Sequence, residues 1–204
     1  MNQILIVPIN HKKYIVFFRI ELTVSILIIV GCLVYMLISY YFADSSNQNL
    51  LDSYQISKLY ANNSIALSLT NTPQIIGTLS IPKINIHYSI ISQLDDDLLK
   101  KSICKFYGPN PNEIGNLCIA GHNYNNDTFF SNLHQLEIGD TVFVEDNLSK
   151  VIEYRIYKKY ETPFTDTSCT LQDTFGKKEL TLVTCNNLNG NRIIVKAVEK
   201  FIIK

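Results

Sequence analysis

Three residues in this chain have the types and settings that thiol chemistry needs. Cys185 ends the apolar run KELTLVTC and opens the polar stretch NNLNG. Arg192 lies seven residues further on, at the start of RIIVKAV. His122 ends another apolar run, NLCIAG, and is followed by Asn123. A cysteine nucleophile needs a route to the thiolate, a proton carrier for the leaving group, and fixed positive charge or N–H donors for the oxyanion. Cys, His and Arg can fill those roles in that order. Arg suits the last because it stays charged and presents several donors.

These residues are useful only if strands bring their ends together. The runs at 178–185 and 191–203 read as consecutive strands joined by a polar loop, which predicts that Arg192 sits close to Cys185 if they pair antiparallel. No spacing rule joins His122 to Cys185 across 63 residues; a fold must do that. Upstream, IIGTLSIPKINIHYSII (75–91) alternates, and Pro82 divides it into two short strands. DDDLLKKSICKFYG (95–108) is expected to be a helix, with acids at its N-terminal end and lysines toward the other. SNLHQLEIGD (131–140) is expected to be a short helix and turn. TVFVED and VIEYRIYKKY form a hairpin around 146–150. The sum is seven or eight short strands with one or two short helices, so the chain is mostly β, either a closed antiparallel-rich barrel or a sandwich.

Composition narrows the class. The chain has 204 residues, with 18 Lys+Arg against 18 Asp+Glu, so it carries no net field for nucleic acid. Hydrophobic residues make up 47%, enough for a real core. Residues 22–42 (LTVSILIIVGCLVYMLISYYF) are uncharged, and about 20 apolar residues span a bilayer as a helix. Lys12, Lys13 and Arg19 precede the run and Asp44 follows it, which predicts a retained anchor with a cytoplasmic N-terminus and an extracellular remainder. The expected organisation is a cytoplasmic N-terminus (1–21), a membrane anchor (22–42), a juxtamembrane stalk (43–72) and one extracellular domain (73–204). In the stalk Leu50, Leu51, Tyr54, Ile56, Leu59 and Tyr60 could share one apolar stripe.

GHN at 121–123, FFSNLHQLEIGD at 129–140, TLVTC at 181–185 and NRIIV at 191–195 together resemble the sortases, membrane-anchored cysteine transpeptidases of Gram-positive cell walls. The short Cys-to-Arg loop and the FFSNL stretch look most like class D or a related small class. The resemblance covers roughly residue 75 to the C-terminus and implies an eight-stranded sortase-like β-barrel. It implies that Cys185 attacks the Thr–Gly bond of an LPxTG-like sorting signal to form a thioacyl enzyme, which an amine of the cell wall or of a pilin lysine then resolves. His122 would move the proton, Arg192 would serve the oxyanion, and Thr184 and Asn123 would line the same oxyanion and substrate site. No cofactor is expected.

The other candidates have plainer readings. His134 is structural or at the surface, His87 faces solvent on a strand, and His11 precedes the anchor. Cys118 and Cys104 read as core; Cys169 sits in a polar loop (DTSCTL) and is expected to be exposed. Asp127, Asp140, Glu145 and Asp146 are dispersed, and Asp140 suits a turn, so no metal site is predicted. Pro163, Phe164 and Phe175, in the loop before the Cys strand, could line a groove for the signal. Two other functions compete. One is an L,D-transpeptidase-like cysteine acyltransferase, whose usual Arg two residues after the Cys is Asn187 here. The other is a non-catalytic membrane-anchored β-domain.

Overall fold

The computed structural model describes residues 11–61 and 73–200. Residues 1–10 of the N-terminal segment, 62–72 of the expected stalk and 201–204 lie outside the described residues. The chain divides into two units, 1–41 and 42–204.

The first unit carries the apolar stretch of α1 (His11–Ala61). Arg19–Tyr41, 23 residues, is long and apolar enough to cross a bilayer, and none of it is buried by protein. In the second unit, the last turns of α1 bury Leu51 and Tyr54. The Tyr54 hydroxyl donates to Asn147 Oδ1 at 2.9 Å in the turn at 146–150.

The rest of the second unit is a closed barrel of eight strands: β1 (Ile75–Ile81), β2 (Ile86–Ile91), β3 (Ile103–Tyr107), β4 (Gly115–Ala120), β5 (Thr141–Asp146), β6 (Val151–Thr162), β7 (Lys178–Cys185) and β8 (Arg192–Glu199). Their order is β1-β2-β3-β4-β7-β8-β6-β5, closed by β5 pairing with β1. Two pairs, β2/β3 and β4/β7, are parallel; the others are antiparallel. Of the two architectures open at the sequence level, the barrel is the one formed. Pro82 does divide the first alternating run: it starts a 3-10 turn that ends on Asn85 in the left-handed region (φ 52°), and β2 follows.

Alternation sets the core. Leu117 and Ile119 of β4, Leu180 and Leu182 of β7, and Ile193, Val195 and Ala197 of β8 point inward with Leu79, Ile81, Phe129, Phe130 and Leu133. The opposite face of the same strands carries a smaller cluster, Val183, Ile194 and Cys169, with Phe106 and Tyr160 packed against it.

The expected helix over 95–108 is corrected. Only α2 (Asp96–Leu99) is helical, and 103–107 is strand β3. Asp95 caps α2 by accepting from Asp97 N at 2.9 Å and Leu98 N at 3.4 Å. Leu98 O then accepts from Lys101 N and Ser102 N, and the turn closes. Ile103 and Cys104, wholly buried, are better satisfied as a strand beside β2. The short helix expected in 131–140 is a single 3-10 turn, Leu133–Gln135.

Candidate active site

Strand register places the first two residues. β7 and β8 pair antiparallel with Cys185 directly opposite Arg192, the neighbourhood predicted from the six-residue loop. β4 lies on the other side of β7 and runs parallel to it, with Ala120 opposite Val183. Two steps further along both chains bring His122 level with Cys185. Bonds beyond the last strand pair support that continuation: Gly121 N donates to Val183 O (3.1 Å), and Asn123 Nδ2 donates to Cys185 O (2.9 Å).

Parity places all three on one face. Ile119, Leu182 and Ile193 point into the barrel. Their alternates Cys118, Ala120 and His122, then Val183 and Cys185, then Arg192 and Ile194, share the outer face. Cys185 is exposed there, while His122 and Arg192 are half-buried.

His122 is held by the segment that follows it. Gly121 must lack a side chain, because a Cβ there would come within 2.7 Å of the Phe130 ring. Phe130 N donates to His122 O at 3.0 Å. Tyr124 stacks on the imidazole with centroids 4.8 Å apart and a 30° tilt. Tyr124 in turn meets Phe129 edge-on at 5.9 Å, and Phe129 stacks on Tyr88 at 5.2 Å. The FFSNL stretch is therefore a plug: Phe129, Phe130 and Leu133 are wholly buried and anchor the loop that carries His122. Burial pushes the His122 pKa below the usual imidazole range; Asp96 pulls it up and Lys100 pulls it down, both less strongly. The shift favours the neutral ring.

Thr184 and Asn123 have their side-chain donors engaged. Thr184 is buried, and its hydroxyl donates to Gly121 O at 2.8 Å. It thereby ties the residue before Cys185 to the residue before His122. Asn123 grips the Cys185 carbonyl, and Asn187 Nδ2 donates back to Asn123 O at 2.8 Å. Asn187 was visible in the sequence only as the place where an Arg is missing.

Sequence reasoning missed Asn116. This wholly buried side chain donates to Cys169 O (2.9 Å) and Leu171 O (3.1 Å), and accepts from Thr181 Oγ1 (2.7 Å). Its backbone is bracketed by the Gln172 amide. A lone Asn inside the apolar run GNLCIA was the available signal, since a buried amide must find partners. Its effect is to dock the β6–β7 loop onto the outer face, against Thr181, Val183 and Ile194. The expected exposure of Cys169 is corrected for the same reason: docking buries it. Phe164 and Phe175, on that loop, are exposed.

The remaining candidates lie elsewhere. His87 is exposed on β2, and His134 Nδ1 lies 3.0 Å from Ser131 O. Cys118 and Cys104 are buried, with thiols pushed up to about 12 by desolvation. Asp140 accepts from Glu137 N and pairs with Lys83, Asp127 accepts from Asn132, and Asp146 caps its own turn. Among the described residues no group of three His, Cys, Asp or Glu could hold a metal ion.

Comparison with known proteins identifies the family. A family model for the Sortase domain matches residues 79–200. The chain is 26% identical to Sortase A of Bacillus anthracis over 128 residues, 62% of this chain and 60% of that protein. It is 35% identical to Sortase D of Bacillus subtilis over 116 residues, 56% of each. The chain thus spans less than two thirds of the length of these curated relatives. A solved Sortase D5 transpeptidase of Clostridium perfringens superposes with a TM-score of 0.61 at 27% identity, over 78% of this chain and 98% of that one. With the family model covering more than half its length, the chain belongs to the sortase family.

Proposed function

We propose that this chain is a membrane-anchored cysteine transpeptidase of class D-like type, with Cys185 as nucleophile, His122 as proton carrier and Arg192 as oxyanion partner. The observation that carries the reading is the convergence of these residues on one outer face, from three adjacent strands β4, β7 and β8. The likeness to Sortase D and to the D5 transpeptidase supports the class.

In this reading an LPxTG-like sorting signal lies along that face. The Cys185 thiol gives its proton to neutral His122, and the sulfur attacks the Thr carbonyl carbon. Arg192 hydrogen-bonds the oxyanion. As the tetrahedral centre collapses, the Thr–Gly C–N bond breaks, and the imidazolium returns the proton to the departing glycine amine. An amine from the cell wall or a pilin lysine then attacks the thioester, loses a proton to His122, and expels the Cys185 sulfur. Asn123 and Thr184 position the strand ends, the donor of Thr184 being engaged by Gly121. The docked β6–β7 loop, with Phe164, walls the signal. Residues 22–42 anchor the chain in the bilayer, with 1–21 cytoplasmic, 43–72 as the juxtamembrane stalk, and the catalytic domain 73–204 outside.

The test is intact mass of the full chain in detergent after incubation with a panel of LPxTG-like peptides. The expected result is a gain equal to the peptide's N-terminal part through Thr, absent in Cys185→Ala and released by an added amine. Cleavage that persists in Cys185→Ala would overturn the nucleophile assignment.

A further inference from the structure

The loop that joins Cys185 to Arg192 contains the only Asn-Gly dipeptide in the chain, Asn189–Gly190. Glycine after asparagine leaves the following backbone nitrogen unshielded, so that nitrogen can attack the side-chain amide. The turn arranges the reacting groups. Asn189 Oδ1 accepts from Asn191 N at 3.0 Å, which folds the side-chain carbonyl back over the Gly190 peptide. That bond also polarises the amide carbon toward attack. Gly190 N donates to Asn186 O at 2.9 Å, a bond that must open before that nitrogen, deprotonated, can attack. All of 187–190 is exposed, so water reaches the site.

We infer that Asn189 is a site of spontaneous deamidation, a covalent modification that alters the loop joining Cys185 to Arg192. Gly190 N bonds to Asn189 Cγ, the Cγ–Nδ2 bond breaks, and ammonia leaves with the proton from Gly190. Water then opens the succinimide on either side, giving aspartate or isoaspartate. No other reactant is needed.

The modification acts on the loop in two ways. Asn189 Nδ2 donates to Glu161 Oε2 at 3.0 Å, and Asn186 Nδ2 donates to Oε1 of the same carboxylate at 2.9 Å. Glu161 thus pins the loop to β6 through two amides. Aspartate at 189 replaces one donor with a second carboxylate, and like charges at that range repel. Isoaspartate also routes the backbone through an extra methylene. The loop closes by Asn186 N donating to Asn191 O at 2.7 Å, and a lengthened backbone cannot keep that bond in register. Beyond that bond lies the Cys185–Arg192 pair.

The experiment incubates the full chain in detergent at mildly alkaline pH and physiological temperature, in water enriched in heavy oxygen. Proteolytic peptides spanning 186–191 are then mapped by mass, beside a free peptide of the same sequence and an Asn189→Gln chain. The expected result is exchange of NH2 for one labelled OH at 189 in two chromatographic forms, with no change in Asn189→Gln, whose longer side chain cannot close the five-membered ring. An Asn189 that remains amide while the free peptide converts would overturn the proposal. Hydrogen exchange at 186–191 reads the consequence. Faster exchange in the converted chain and in Asn189→Asp is expected, and unchanged exchange in both would overturn the link to the loop. Neither readout uses turnover, so the result stands apart from the transpeptidase assignment.

Discussion

Thr184→Val is the most informative single change. It keeps the shape and removes one hydroxyl, which is buried and donates to Gly121 O at 2.8 Å. The variant strands that carbonyl beside a methyl group. A buried acceptor left unsatisfied costs about 1–3 kcal/mol. With partial relaxation the expected loss is about 1–2 kcal/mol, or roughly 4–8 °C in the melting temperature of a domain this size. Gly121 immediately precedes His122, so the loss also loosens the segment that carries the imidazole. A misplacement of about 1 Å lowers turnover by roughly 100-fold. The assay pairs a thermal melt with peptide-cleavage kinetics on Thr184→Val and Thr184→Ser. Serine keeps the donor, so it should restore both quantities to near the parent values. Turnover lost in Thr184→Val with an unchanged melting temperature would mean the hydroxyl serves the oxyanion, and the positioning argument would fail.

Arg192→Lys keeps the charge but not the planar fork, and should reduce turnover by about 100-fold or more with a small change in stability; peptide-cleavage rates near the parent value would remove Arg192 from the oxyanion role. Tyr124→Ala uncovers the imidazole that Tyr124 stacks on. Burial holds the His122 pKa down, so rehydration should raise it, move the acid limb of the rate profile to higher pH, and shift the ring's NMR titration the same way; Tyr124→Phe should leave both in place. The lowered pKa also has a stability sign. The unfolded chain binds the imidazole proton more readily, so His122 should contribute progressively less stability as pH falls through the ordinary imidazole range, which melts across that range in parent and His122→Gln would detect. Alkylation of the folded domain should label Cys185 alone among its four cysteines, because the thiols of Cys104, Cys118 and Cys169 are buried and pushed up; mass mapping that finds those three modified before unfolding would contradict the packing.

The sequence carried some of this site directly. A six-residue loop between two apolar runs brings strand ends together, so the Cys185–Arg192 neighbourhood was legible. The Pro82 break was legible because proline cannot serve a continuous ladder. His122 could be linked to Cys185 only through the family resemblance, because the parallel pairing of β4 with β7 joins segments far apart in sequence and leaves no local trace. Asp95–Asp97 and the following lysines imitate helix ends, and only one turn forms; Ile103 and Cys104 then follow the sheet. Cys169 reads as exposed from its own polar surroundings, DTSCTL, because its burial comes from Val183 and Ile194 and its docking from Asn116, all distant in sequence. In each of these cases a distant partner overrode local composition.

The barrel's closure bears on how such a protein can recognise an unfolded segment. Many proteins that grip extended chains lend them a free sheet margin, so that the guest becomes one more strand and its backbone supplies the affinity. Here β5 pairs with β1, and every strand already has two neighbours. Among the described residues a passing polypeptide finds no strand with a wholly free edge to extend, which limits the capture of chains merely for being extended. Discrimination must then rest on side chains and loop walls, so a guest is accepted for its sequence rather than for being extended.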